Sequence, residues 1–124
     1  MKIRIKGNSI RYRLSKTDIQ TLGEKGYTEE RTEFNNGLFV YTLQSSDETN
    51  LAADLGTNKI TILMPKSWMS EWIASERVGY EHHQLLPNGN KLYLLIEKDF
   101  KCLDDTIEDQ SDNYDNPLLQ KSKE

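Results

Sequence analysis

Residues 4–43, RIKGNSIRYRLSKTDIQTLGEKGYTEERTEFNNGLFVYTL, hold two strand pairs around one short helix, and the fold follows from how that unit is read. Apolar and basic side chains alternate on both sides of Gly7-Asn8. Ile3 and Ile5, then Ile10, Tyr12 and Leu14, take one face, and Lys2, Arg4, Lys6, Arg11 and Arg13 take the other. A period of two marks a half-buried strand, and Gly-Asn suits the turn of a hairpin. Ser15 is a good helix N-cap with Asp18 three residues on, in the manner of a capping box. Ile19 and Leu22 mark the apolar side, and Gly23 is placed to stop the helix. Residues 27–34 and 38–44 are strand-like, joined by Asn36-Gly37, a strong short hairpin signal. The unit reads ββαββ.

The same order recurs. Residues 51–55 and 59–64 alternate around Gly56-Thr57-Asn58. Pro65 opens a helix carrying Trp68, Met69, Trp72 and Ile73, and residues 78–86 and 91–96 flank Asn88-Gly89. Gly7 aligns with Gly56, Ile10 with Ile60, Leu14 and Lys16 with Met64 and Lys66, and Gly26-Tyr27 with Gly79-Tyr80. Asn36, Gly37, Tyr41 and Leu43 align with Asn88, Gly89, Tyr93 and Leu95. This is the pattern of an internal repeat, residues 2–44 and 50–97. Two four-stranded halves, each with one apolar face, bury those faces best against each other. The expected fold is mainly β, of α+β class: two ββαββ repeats closing into a barrel-like antiparallel body with two short helices. It forms one domain over 1–100, with an acidic, flexible tail over 101–124.

Charge is distributed unevenly. Residues 1–96 carry twelve Lys/Arg against eleven Asp/Glu, and residues 97–117 carry two against eight, within a formal net charge of −4. The first sixteen residues hold six cations and no acid. A basic front and an acidic rear imply mutual docking or two different partners. The run of ~18 apolar residues needed for a membrane span is missing, as is a signal-peptide core, so a cytoplasmic protein with no membrane partner is expected. The single cysteine, Cys102, excludes an internal disulfide or a multi-cysteine zinc cage and agrees with a reducing compartment.

The stretch quoted above resembles the swapped-hairpin module of AbrB/MazE-type transcription factors and antitoxins: a basic strand, Gly-Asn-Ser, an Arg-containing strand, a helix and a final hairpin. ITILMPKSWMSEW, residues 60–72, resembles the same strand-to-helix junction, with Pro65 at the expected place. The match is good over 2–44 and holds in outline over 50–97. Such modules pair two ββαββ chains into one interleaved body, so a duplicated chain implies a fused pseudo-dimer, acting as a monomer or a homodimer. The resemblance places Arg4, Ser9 and Arg13 on contact positions for DNA, and Ile5 where a second basic residue is usual. Lys6, Asn8 and Arg11 complete the candidate nucleic-acid surface. Arginines on one strand face reach phosphates and base edges, and turn N–H groups hold a phosphate. The second half offers Asp54, Thr57 and Lys59 instead, so a symmetric footprint needs a homodimer pairing two first halves.

Antitoxins of this kind carry an acidic tail that covers a basic partner. EKDFKCLDDTIEDQSDNYDNP, residues 97–117, has that composition. The candidate tail contacts are Phe100, Asp104, Asp105, Glu108, Asp109, Asp112 and Tyr114, directed at a protein partner or at the chain's own basic hairpin. No metal or cofactor is expected. The calcium-loop pattern fails at its glycine and glutamate positions, and His82 and His83 point to opposite faces of a strand. No catalytic residues are assigned, since phosphate loop, serine elbow and metalloprotease helix are all absent. Trp68 and Trp72 stand one helical turn apart; core packing accounts for both, with one of them left partly exposed at an interface. The expected function is non-enzymatic binding of DNA or a protein. The alternative is a small bacterial protein-interaction domain with no DNA role.

Overall fold

The computed structural model describes residues 1–100 and 112–115. The first half runs β1 (Lys2–Lys6), β2 (Ser9–Leu14), α1 (Lys16–Lys25), β3 (Tyr27–Phe34) and β4 (Gly37–Ser46). The second runs β5 (Ala52–Gly56), β6 (Lys59–Pro65), α2 (Lys66–Ala74), β7 (Gly79–Leu85) and β8 (Lys91–Lys98). The body is therefore mainly β with two short helices, and the order ββαββ occurs twice.

The strands pair as two four-stranded sheets, β1-β2-β8-β7 and β3-β4-β6-β5. Each sheet takes one hairpin from each half. The hairpins are antiparallel, but they join through parallel central pairs, β2 with β8 and β4 with β6. Among the described residues no closed barrel is found. Where barrel closure would require ladders, between β1 and β3 and between β5 and β7, side chains bridge instead. The Met1 ammonium, just before β1, donates to Glu30 Oε1 of β3 at 2.8 Å, and the Ala53 amide of β5 donates to Gln84 Oε1 of β7 at 2.8 Å. These bonds satisfy edge groups without forming new strand pairs.

Between the sheets lie Tyr12, Leu14, Leu43, Ile62, Met64, Leu94 and Ile96, all fully buried, with Leu22 and Trp72 sent in by the helices. They come from the apolar positions of the period-two pattern and of the helix stripes. Removing such side chains from water supplies roughly 25 cal/mol per Å² of apolar surface. Tyr12 pays its polar cost by donating to the Thr42 carbonyl at 3.2 Å, and burial pushes its phenol well above the usual range.

Local details depart from expectation in two instructive places. Helix α1 begins as expected, with Ser15 and Asp18 forming the full capping box, but it does not stop at Gly23. It runs to Lys25, and Gly26 ends it with φ 76°, its amide returning to the Leu22 carbonyl at 2.8 Å. Gly23 instead faces Ile73, where the two helices approach. A left-handed residue, not any glycine, terminates a helix.

The second departure concerns register. The turn between β3 and β4 closes on Asn35-Asn36, with Phe34 opposite Gly37. Leu43 pairs with Thr28 and Ile62, whereas Ile96 pairs with Tyr80 and Tyr12. Leu43 thus corresponds to Ile96, not to Leu95, and Tyr41 to Leu94, not to Tyr93. The β7-β8 turn is one residue longer, since the Leu86 amide bonds across to Asn90 at 2.8 Å. A one-residue slip exchanges the faces of a strand. Likewise Lys6 pairs with Ser9 and Gly56 with Lys59, so Gly7 corresponds to Thr57. Positive φ falls on Gly7 in one turn and on Asn58 in the other.

Candidate functional site

The outer face of β1-β2-β8-β7 gathers the residues of interest into three rows. Pairing puts Lys2, Arg13 and Glu97 in one row, Arg4, Arg11 and Leu95 in the next, and Lys6, Ser9 and Tyr93 in the third. The face thus runs from basic side chains on β1 and β2 to Tyr93, Leu95 and a single acid, Glu97, in the β8 rows. That arrangement depends on the parallel β2-β8 contact, which joins residues more than eighty positions apart.

Three of the five cations on this face are held by Glu97 and by Asp99 just past β8. Arg11 Nε donates to Glu97 Oε1 at 2.6 Å, and its Nη2 contacts the same oxygen. Arg13 Nε lies 3.5 Å from Glu97 and 3.9 Å from Asp99, and Lys2 Nζ is 3.1 Å from Asp99. Glu97 and Asp99 have side chains only 14% and 5% exposed. A carboxylate so buried requires cations to remain charged at acceptable cost. Arg4 and Lys6 are different: both are exposed, and among the described residues neither enters an ion pair. With Ser9 and Arg11 they border a shallow depression of about 150 Å³.

The Gly-Asn-Ser turn is tied into its own sheet. Asn8 Nδ2 donates to the Lys91 carbonyl at 2.7 Å, the Asn8 carbonyl accepts from Tyr93 N at 3.0 Å, and the Ser9 hydroxyl donates to the Lys6 carbonyl at 2.7 Å. These bonds fix the tip so that Arg4 and Lys6 project from a rigid edge.

Of the expected tail contacts, Asp104, Asp105, Glu108 and Asp109 lie outside the described residues, as does Cys102. Phe100, Asp112 and Tyr114 are described. Asp112 sits at the start of α1, where its Oδ1 accepts from the Thr17 amide at 3.1 Å and hydroxyl at 2.9 Å, and its carbonyl accepts from Lys16 N at 3.0 Å. Hydrogen bonding from Ser15, and then from Thr17, holds its carboxyl below the usual carboxylate range. A helix N-terminus favours such an anion. Tyr114 donates its amide to the Asp99 carbonyl at 2.8 Å and packs its ring 5.8 Å from that of Phe100. Lys98 lies beneath, donating to the Ser75 carbonyl at 2.7 Å with its ammonium 5.4 Å from the Tyr114 ring; burial pushes its pKa down.

The tryptophans divide as the helical spacing allows. Trp72 is fully buried and donates to the Val78 carbonyl at 3.1 Å. Trp68 is half-buried and stacks on Tyr80, centroids 5.2 Å apart and planes within 14°. The carbon of the Arg77 guanidinium lies 3.9 Å from the Tyr80 ring centroid. With Glu71, Glu81 and Glu97 these residues border a cleft of about 600 Å³ beside the edge strand β7. Sequence reasoning missed this cluster apart from Trp68. Its members come from α2, its exit loop, β7 and β8, and only the tertiary fold assembles them.

His82 and His83 take opposite faces of β7, half-buried and exposed respectively, with the His83 ring 4.8 Å from that of Tyr93. Among the described residues no three His, Cys, Asp or Glu side chains converge as metal ligands, and no helix is long and apolar enough to cross a membrane.

The chain belongs to DUF7009, a family of unknown function, whose model matches residues 1–118. No curated protein and no solved structure matches it.

Proposed function

Starting from a family without an assigned activity, we propose that this chain is a non-enzymatic binding protein, an AbrB/MazE-like swapped-hairpin module fused into one chain. It engages nucleic acid through the edge of its first hairpin. The observation that carries this reading is the exchange of hairpins: each sheet contains one hairpin from each half, joined through a parallel central pair. A pseudo-dimer of swapped-hairpin units needs that topology. The contact surface is Arg4, Lys6 and the Ser9 turn, with Arg11 behind them. Arg4 and Lys6 are long, exposed cations on a rigid edge, suited to phosphate oxygens. The corresponding edge of β5-β6 presents Asp54, Gly56 and Lys59, so one chain offers one basic edge, and a two-fold footprint requires two chains.

The test is anisotropy of a labelled random duplex at 50 and 200 mM salt. Wild type binds with affinity falling steeply as salt rises. Arg4→Glu with Lys6→Glu flattens the log-log salt slope by about 2, since each phosphate contact contributes about 0.9. Binding that is absent at both salts contradicts the proposal.

A second reading, a protein-interaction module with no DNA role, draws on the engagement of Lys2, Arg11 and Arg13 by Glu97 and Asp99. Under it the first hairpin is an electrostatically closed structural element, and the double charge reversal changes no ligand affinity.

A further inference from the structure

The cleft beside β7 has a composition that neither the basic hairpin nor the tail explains. Its aromatic wall is Trp68 stacked on Tyr80, and its rim carries Glu71, Glu81 and Glu97, with one cation, Arg77, inside. Glu97 is already satisfied by Arg11 and Arg13 from β2. Glu71 accepts from the Tyr80 hydroxyl at 2.9 Å and has Arg77 Nη1 only at 3.9 Å, beyond hydrogen-bonding range. Glu81 accepts from the Tyr93 hydroxyl, and among the described residues no cation pairs with it. The cleft rim therefore carries more carboxylate than cation, with Glu71 beside the aromatic pair and Glu81 on the outer face of β7.

Arg77 shows what such a surface accepts. Its guanidinium lies over the Tyr80 ring at 3.9 Å, its Nε donates to the Gly79 carbonyl at 3.0 Å, and half of its side chain remains exposed. That combination of an aromatic face, an edge-strand carbonyl and a nearby carboxylate is complementary to a planar guanidinium more than to a compact ammonium. The Gly79 carbonyl is on an edge strand, where no neighbouring strand competes for it. Arg77 is half-exposed, so an arginine from another protein can take its place on the same partners: the Tyr80 ring, the Gly79 carbonyl and Glu71.

We propose that this cleft is an arginine-binding site for a protein partner, with Arg77 as the internal occupant that a partner arginine displaces. It stands independently of the nucleic-acid reading, because none of its defining residues lies on the first hairpin.

The test uses the full chain, labelled with ¹⁵N, and the peptide acetyl-Gly-Arg-Gly-amide. The two tryptophan indole N–H signals act as reporters. That of Trp68 shifts saturably on titration and that of Trp72, which donates to the cleft-lining Val78 carbonyl, moves with it, while the amide signals of Tyr12 and Ile62 in the core stay in place and report that the fold is intact. Arg77→Gln vacates the Tyr80 face and tightens peptide binding about threefold or more, the scale of an exposed cation–π contact, and Glu71→Gln weakens it by a similar factor. Acetyl-Gly-Lys-Gly-amide binds more weakly than the arginine peptide. Any of three results overturns the proposal: no saturable shift at Trp68 in either wild type or Arg77→Gln, affinity unchanged by both substitutions, or lysine bound as tightly as arginine.

Discussion

The two helices occupy corresponding places in the two halves yet are secured by different physics. Helix α1 is fixed at its first turn by polar contacts: the Ser15 and Asp18 capping box, and Asp112 accepting from Thr17. Helix α2 follows Pro65, which makes no side-chain cap, and is fixed by its apolar side, with Trp72 fully buried and Trp68 stacked on Tyr80. At a spacing of fifty residues, Trp68 and Trp72 stand where α1 has Asp18 and Leu22. One scaffold position therefore serves as a cap in one half and as an aromatic wall in the other. The difference shows that a repeated fold fixes backbone placement and leaves each copy free to anchor it by hydrogen bonds or by burial.

Trp72→Ala probes this contrast most strongly. Loss of a fully buried indole costs about 3–5 kcal/mol, whereas Trp68→Ala, at a half-exposed stack, costs about 1 kcal/mol. Urea unfolding of both variants checks the pair, and equal losses would remove the distinction between core and cleft tryptophan. Next comes the entry to the final hairpin. A methyl group on Gly79 would meet the Ile96 carbonyl at 2.1 Å, so Gly79→Ala destabilises by about 3 kcal/mol, while Gly37→Ala, with nothing within 4 Å, stays within about 0.5 kcal/mol of wild type. The same unfolding curves measure this. By strand register Tyr27, and not Gly26 as the sequence alignment has it, occupies the matching position in the first half, so the close approach at Gly79 has no counterpart at that place in β3-β4.

At α1 the effects are smaller. Ser15→Ala removes the cap and costs about 1 kcal/mol. Asp112→Asn has the smallest effect, and its sign depends on pH. Because the folded carboxyl sits below its ordinary value of 3.8, the stabilisation is present in full at neutral pH and is lost as the pH falls below that value through the folded pKa. The stability difference between wild type and Asp112→Asn therefore narrows in acid. Thermal unfolding at pH 7 and pH 3 measures it, and a gap that widens in acid contradicts the assignment of Asp112 as an anionic cap.

The elements were largely legible in the sequence because their signals are local. Alternation of Ile10, Tyr12 and Leu14, the Ser15-Asp18 pair and Pro65 each act within a few residues, and the structure uses all of them. The closing of the β3-β4 hairpin on Asn35-Asn36 was not legible. Asn36-Gly37 suits a turn with positive φ, and the chain adopts a turn that has none. The fate of the basic residues was legible only in part. Their common face follows from a period of two, but their partners are Glu97 and Asp99, which the acidic composition of residues 97–117 had grouped with the tail. Glu97 belongs to β8, and its meeting with Arg11 arises from the parallel pairing of distant strands, for which no local pattern exists. The cleft at Trp68 was hidden for the same reason: Glu71, Arg77 and Tyr80 come together only when α2 lies against the β7 edge.

The two first hairpins of the repeats, β1-β2 and β5-β6, give the sharpest functional comparison, since they share topology and differ in charge. The direct test is a ¹H–¹⁵N chemical-shift map of the full chain titrated with a short unlabelled DNA duplex at low salt. The account predicts shifts centred on Arg4, Lys6 and Ser9, with Asp54, Thr57 and Lys59 unmoved. Shifts spread equally over both hairpins, or confined to neither, would contradict a nucleic-acid surface built from the first hairpin.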